Sequence, residues 1–245
     1  MLNAAQFEAL QHAAGEDNFS REHATLWAYG MDNSRRHALP DAVIYASSHE
    51  QVQAVVQVCT THRIPLTARG RGTGTTGATV PIHGGVVLSF ERMKRILEIN
   101  PDDRLIVVEP GVTNAEVQEA VRPHGFFWPP DPTSSAFCSV GGNLAYNSAG
   151  PRAVKYGTVR DNVLALRAVT GQGEEIRTGT RTTKGVVGYD LTRLLVGSEG
   201  TLALITEATL KLTPLPEAIR TARALYRDMQ SAAHAVARLM AQPVT

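Results

Sequence analysis

Only two cysteines, Cys59 and Cys138, occur in the 245 residues, too few for a disulfide framework or a thiolate metal site. The eight histidines are scattered, with no pair at the i, i+4 spacing of a helical zinc site. An excess of charge is also missing. Twenty-four Lys and Arg stand against 23 Asp and Glu, a formal net charge of +1, which leaves no electrostatic footprint for nucleic acid. A local basic site for a small anion stays open. No apolar run reaches the roughly 18 residues of a membrane span, and the N-terminus has no signal-peptide core. These absences favour a reduced, soluble, cytoplasmic protein without a transmembrane segment. What is present is ordinary for a globular chain: 43% hydrophobic and 19% charged residues. The length suits one large domain or two modest ones, with a core that needs no cross-links.

Along the chain, residues 3–14 read as an amphipathic helix with Phe7 and Leu10 on one face, ended by Gly15. Polar chain follows to about Pro40, and then strand and helix signals alternate. Residues 42–46 read as a strand. Ser48 with Gln51 forms a capping box for a helix striped by Val52, Val55, Val56 and Cys59. Residues 64–68, 86–90 and 105–109 read as strands, the last after a turn at Pro101, Asp102 and Asp103. Thr113 and Glu116 form a second capping box, for a helix through Val121. Residues 143–148 are expected to form one or two helical turns. Residues 163–170 and 174–178 flank Gly171-Gln172-Gly173 as a hairpin. A short helix at 191–196 and a long strand at 202–212 precede Pro214 and Pro216, which mark a boundary. Beyond it, residues 219–226 are expected to form a strand and 231–240 a helix, and that pair needs a partner to bury its apolar face.

Residues 69–77 read RGRGTGTTG. Gly72, Gly74 and Gly77 satisfy G-x-G-x-x-G after a strand, and Glu91 falls near the position of a ribose-binding acid. A dinucleotide fold nevertheless requires the third glycine to open a helix. Here Thr79-Val80-Pro81, Gly84-Gly85 and another strand follow. A Walker loop is excluded too, because no Gly-Lys-Ser/Thr is present. Glycines at positive φ let backbone amides approach a ligand and form an anion nest, beside which Arg69 and Arg71 can add charge. A diphosphate suits such a loop. Two further small-residue stretches, 139–150 and 197–200, lie far away in sequence. Three such segments can line one elongated ligand, or each can be a structural turn.

Taken together, RGRGTGTTG (69–77), PPDPTSS (129–135), SVGGNLAYNSAG (139–150), KYGTVRDNVLAL (155–166), GYDLTRLLVGSEGTLALITEA (188–208) and KLTPLP (211–216) resemble a known family. It is that of the FAD-linked oxidases of the PCMH-type, or vanillyl-alcohol-oxidase, superfamily. The resemblance is strongest to the branch of D-lactate dehydrogenases, D-2-hydroxyglutarate dehydrogenases and the glycolate oxidase D subunit. It implies an α+β fold in which two α/β subdomains hold FAD between them. The implied division is an N-terminal helical segment (1–35), a PCMH-type FAD-binding domain (36–216) and only the start of a truncated substrate or cap domain (217–245).

The same resemblance implies the cofactor contacts. Arg69, Gly70, Arg71, Gly72, Thr73, Gly74, Thr75 and Gly77 match the pyrophosphate loop. Pro132, Thr133 and Ser134 match a segment near the flavin. Gly141, Gly142, Asn143, Asn147 and Gly150 match a turn along the ring and diphosphate. Tyr156 and Gly157 match a following contact, and Glu199, Gly200 and Ile205 match the run past pyrophosphate and adenosine. The chain departs from the family pattern at Ala68, Ala78, Tyr146, Ser148, Ala149 and Ala203. Tyr146 and Ala149 matter most, since larger side chains near the ring reshape the pocket. The loop has Thr73 and no histidine where some relatives link the flavin, and Cys138 stands one residue out of register with a linking cysteine. FAD is therefore expected to be non-covalent.

The activity implied is oxidation of a D-2-hydroxy acid, such as glycolate or D-lactate, to the 2-oxo acid by hydride transfer to flavin N5. The electron acceptor is open, with an iron–sulfur subunit or cytochrome among the candidates. No catalytic residue and no metal ligand is identified. In the resembling family these come largely from the cap domain, so the chain alone is expected to lack a complete active site. An alternative is a non-catalytic FAD-binding subunit or fragment. Arg152 and Lys155 flank the flavin segment as candidate contacts for an anionic substrate, with exposed surface cations the simpler reading.

Overall fold

The computed structural model describes residues 2–242. By contact the chain divides into two units, residues 1–215 and 216–245. In the first unit α1 (Ala4–Ala14) is opened by a full capping box between Asn3 and Gln6 and stopped by Gly15 at φ +79°. Short β1 (Phe19–Ser20) and α2 (His23–Tyr29) follow. The sequence reads here only as polar chain. α2 has seven residues, no capping side chain and no buried residue, so it carries neither signal by which a helix is recognised in sequence.

The first sheet is built from β2 (Ala42–Tyr45), β3 (Leu66–Arg69) and β4 (Val86–Ser89), in the order β1-β2-β4-β3. β2, β4 and β3 run parallel and β1 antiparallel. A parallel crossover needs a long connection, and α3 (His49–His62) supplies it between β2 and β3. Ser48 caps α3 by accepting the Gln51 amide at 3.2 Å. The expected reciprocal bond is diverted: Gln51 Oε1 accepts from the Ser47 amide instead, at 2.7 Å. Val52, Val55, Val56 and Cys59 form the buried stripe of α3, and with Leu10, Ile44 and Leu88 they build one core.

The second sheet is wholly antiparallel. It comprises β5 (Ile96–Asn100), β6 (Leu105–Val108), β8 (Val163–Thr170), β9 (Glu175–Gly179) and β10 (Ala203–Lys211), in the order β5-β6-β10-β8-β9. Its inner face packs on α4 (Asn114–Val121) and on α5 (Val140–Tyr146), around fully buried Trp128. A two-stranded ribbon pairs β7 (Phe126–Phe127) with β11 (Thr213–Pro214), and short α6 (Ala153–Tyr156) and α7 (Leu191–Leu195) complete the unit. α5 begins three residues before the expected 143–148. Ser139 caps it, accepting the Gly142 amide at 3.3 Å, so the glycine pair that masked the helix lies inside its first turn.

In the second unit α8 (Met229–Met240) is capped by Asp228, which accepts the Ser231 amide at 2.7 Å. The strand expected at 219–226 does not form. An isolated strand leaves its backbone groups unpaired, and this unit by itself contains no second strand among the described residues.

Candidate functional site

β3 delivers Arg69 to the end of the first sheet, where the chain turns out into the 70–79 loop. Arg69 is buried, and its Nη1 donates to the Met31 carbonyl at 2.6 Å and reaches Thr79 Oγ1 at 3.4 Å. The guanidinium lies 5.2 Å from the centre of the Tyr29 ring. Burial pulls its pKa down from the usual arginine range, and Tyr29, Asp32 and Glu91 pull it back up. Arg69 is thus an internal strut of the loop. A Cβ on Gly72, which sits at φ +66°, would collide with that guanidinium.

Arg71 extends outward, with Nη1 3.8 Å from Glu91. Glu91 also accepts the Tyr29 hydroxyl at 2.6 Å. Burial and this bond raise the Tyr29 pKa. Glu91, the residue spaced like a ribose-binding acid, is therefore engaged with Tyr29 and Arg71. Among the described residues, no backbone N–H from 70 to 76 donates a hydrogen bond. The carbonyls of Thr73 and Gly74 are taken by Asn33, at 3.4 and 3.0 Å. A run of free donors, with the Thr73 and Gly74 carbonyls occupied, has the makings of an anion nest.

The second wall is residues 132–150. The amides of Val140 and Gly141 bond to the carbonyls of Val112 (2.7 Å) and Pro110 (2.8 Å). This approach is possible because Gly141 lacks a Cβ, which would fall 2.5 Å from that of Pro110. A Cβ on Gly70 would fall 2.6 Å from Ser139 Oγ, so glycine also lets the first wall touch the second. Asn143, next along α5, is buried and its Nδ2 has no partner. An orphaned buried donor costs about 1–3 kcal/mol unless a ligand satisfies it.

The third wall is residues 198–205. Glu199 adopts φ +53°, a left-handed conformation unusual for a residue with a side chain. Its amide is held by the Ala145 carbonyl at 2.9 Å, which ties this wall to α5. Gly200, at φ +76°, passes over Ala68 of β3.

These walls enclose one cavity of about 600 Å³, within the range of cofactor sites. It brings together Arg69, Gly70, Arg71, Gly72, Thr73, Gly74 and Thr75, then Pro132, Thr133 and Ser134, then Gly141, Gly142, Asn143 and Gly150, and finally Glu199, Gly200 and Ile205. Four residues expected there lie outside it, each with a local structural task. Gly77, at φ +88°, packs on Arg36 and Ser34. Asn147 is the left-handed cap of α5, and its Oδ1 accepts the Arg160 amide at 3.0 Å. Tyr156 stacks edge-on against Phe127, and its carbonyl accepts Asn162 Nδ2 at 2.9 Å. Gly157 leaves room for Asp161. Arg152 pairs with Asp131 at 3.3 Å and Lys155 lies over Tyr156, both away from the cavity wall. Sequence reasoning missed Asp32, Asn33 and Ser139, which line the cavity. Of these, only Ser139 carried a signal, as a cap three residues before Gly142.

The fold and cavity define a nucleotide-cofactor protein in which an anion nest and a glycine-packed helix face one cleft. The chain belongs to the FAD binding domain family, whose model matches residues 40–179. It is 42% identical over 238 residues to the glycolate oxidase subunit GlcD of Bacillus subtilis, covering 97% of this chain and 51% of that protein. It is 37% identical over 205 residues to a mitochondrial D-lactate dehydrogenase (cytochrome) of Arabidopsis thaliana, covering 82% and 36%. The chain therefore spans about half or less of the length of these curated relatives. Among solved structures it resembles an alkyldihydroxyacetonephosphate synthase (TM-score 0.78, 24% identity, 89% of this chain, 43% of that one). It also resembles p-cresol methylhydroxylase with substrate bound (TM-score 0.76, 25% identity, 87% and 44%). The α+β architecture is the PCMH-type FAD-binding fold, and FAD is the cofactor of the family. The residues present fit that group: seven free amides on the cavity wall suit a diphosphate.

Proposed function

We propose that this chain is the FAD-holding part of an oxidoreductase that converts a D-2-hydroxy acid, such as glycolate or D-lactate, to the 2-oxo acid. The observation that carries the reading is the convergence of three distant glycine-bearing segments on one cavity lined with free amides. The names of its relatives supply the substrate class. On this reading the 70–76 amides bind the diphosphate. The 132–134, 141–143 and 150 segment lies along the flavin, and Glu199, Gly200 and Ile205 flank the adenosine side. Bound flavin supplies a two-electron acceptor. The protein's part is to hold it in a cleft that limits access of water. Residues 36–216 form the cofactor domain and residues 217–245 belong to the substrate side. FAD is held without a covalent link, because the cavity wall offers no histidine or cysteine among the described residues, and Cys138 is buried outside it. Two unpaired thiols agree with a cytoplasmic location, and the electron acceptor is a separate redox partner such as an iron–sulfur subunit or cytochrome.

A second reading, a cofactor-binding subunit without turnover, is favoured by one observation. Among the described residues the cavity wall carries no histidine or lysine to serve as general base. Titration with FAD, followed by anaerobic addition of glycolate, D-lactate or L-lactate and a dye acceptor, separates the two. Both readings expect saturable one-to-one FAD binding. Bleaching by a D-2-hydroxy acid establishes the oxidase reading, and binding without bleaching leaves this chain as the FAD-holding part without turnover of its own. No FAD binding refutes both.

A further inference from the structure

Residues 31–36 lie before the part of the chain that the family model matches, yet Asp32 and Asn33 form part of the cavity wall. The segment is a closed turn. Met31 bridges His37, Asp32 Oδ1 accepts the Ser34 amide at 2.9 Å, and Arg35 takes φ +66°. It grips the glycine loop at three levels. At the loop's start, Arg69 donates to the Met31 carbonyl. In its middle, Asn33 donates twice, through its amide to Gly74 O (3.0 Å) and through Nδ2 to Thr73 O (3.4 Å). At its end, the Thr79 hydroxyl donates to Asp32 Oδ2 at 3.3 Å. The Asp32 carboxylate is thereby occupied by the Ser34 amide and the Thr79 hydroxyl.

We propose that Asn33 is a positioning residue for the diphosphate of the bound dinucleotide, acting by fixing the direction of two loop amides. A trans peptide is planar, so its C=O and N–H point in opposite directions. The Thr73 carbonyl shares a plane with the Gly74 N–H, and the Gly74 carbonyl shares one with the Thr75 N–H. With both carbonyls held by Asn33, the Gly74 and Thr75 N–H groups face away from it. Both residues line the cavity, and neither amide has a partner among the described residues. The loop is loosely packed at this point: a Cβ on Gly74 would meet no atom within 4 Å. Without the Asn33 side chain the Thr73–Gly74 peptide plane is free to rotate while the backbone amide of residue 33 still holds the Gly74 carbonyl, and the anion must order the freed plane on binding.

The inference rests on the FAD reading, and the test keeps the two apart. Calorimetric affinities for FAD and for ADP, which carries the diphosphate without the flavin, are measured on the wild-type chain, Asn33→Ala and Asn33→Asp. The melting temperature of each is measured without ligand. Loss of one neutral hydrogen bond weakens binding by about two- to tenfold. Asn33→Ala is expected to lose that factor for both ligands alike, with an unchanged melting temperature because Asn33 is exposed. Asn33→Asp, which sets an oxygen against the Thr73 carbonyl, is expected to lose more for both. Wild-type affinity in both variants overturns the proposal. So does a loss confined to FAD, or a loss that only follows a lowered melting temperature. A wild-type chain that binds neither ligand overturns the FAD reading itself, and the proposal with it.

Discussion

At 70–76 seven consecutive amides have no partner among the described residues, whereas at 140–143 the amides of Val140, Gly141, Gly142 and Asn143 are all taken. The two stretches look alike in sequence, rich in glycine and short side chains. In the first, glycine lets the backbone turn at φ +66° and leave its donors unpartnered. In the second, glycine removes a Cβ so that backbone can meet backbone at Pro110 and Asp131. One wall is left open; the other is a packed hinge with an orphaned buried side-chain donor, Asn143 Nδ2. A glycine motif therefore states only that a Cβ is unwelcome. The hydrogen-bond ledger around it tells whether a ligand or the protein itself occupies the space.

Substitutions that add one methyl group should separate the walls most sharply. Gly141→Ala drives a Cβ to 2.5 Å from that of Pro110, and Gly150→Ala drives one into the Asp131 backbone. Each should cost about 1–3 kcal/mol of stability without ligand, read as a melting temperature several degrees lower. If either variant melts like the wild type, the packed-hinge description is wrong. Removing the orphaned donor should act oppositely. Asn143→Ala takes away an unsatisfied buried group, so the ligand-free protein should keep its stability while FAD affinity falls by about tenfold. Equal affinity in a fluorescence titration would mean that Nδ2 does not face the cofactor.

A smaller effect tests the scaffold common to both walls. Glu50 on α3, Arg167 on β8 and Glu175 on β9 form a chain of ion pairs, with Arg167–Glu175 at 2.8 Å and Arg167–Glu50 at 3.7 Å. The Arg167 hydrogen bond, seconded by Arg177, holds the Glu175 carboxyl down at about 2, against an ordinary 4.5. The folded state therefore binds this proton more weakly than the unfolded state. Its stabilisation is complete above the ordinary carboxylate range and is lost as pH falls from there toward 2. Glu175→Gln should flatten that part of the acid melting profile and leave FAD affinity at neutral pH untouched; an unchanged profile would deny the pair any role. The smallest effect belongs to Gly74→Ala. No atom lies within 4 Å of the new Cβ, so stability should move by less than about 0.5 kcal/mol. A drop as large as that of Gly141→Ala would erase the difference between the walls.

Much of this was legible in the residues. The alternation of strand and helix was, as were the Thr113 capping box, the hairpin at 171–173 and the failure of a helix to follow Gly77, because hydrophobic periodicity and turn chemistry act locally. Convergence was legible only as a possibility, since nothing in the letters places Gly72, Gly142 and Gly200 around one cavity. Asn147, Tyr156 and Gly157 belong to turns supporting the cavity, and a supporting turn uses the same residue types as a contact. Asp32 and Asn33 gave no signal, because their effect depends on a loop 40 residues further on. The strand expected at 219–226 had local propensity but no neighbour to complete it.

Amide hydrogen exchange, resolved by residue with and without FAD, tests the central claim most directly. The account predicts that residues 70–76 exchange freely in the ligand-free chain and become protected on binding, while Gly141 and Gly142, already bonded within the protein, change little. Protection appearing at 141–142 with the 70–76 amides unaltered would show that the glycine loop does not hold the diphosphate.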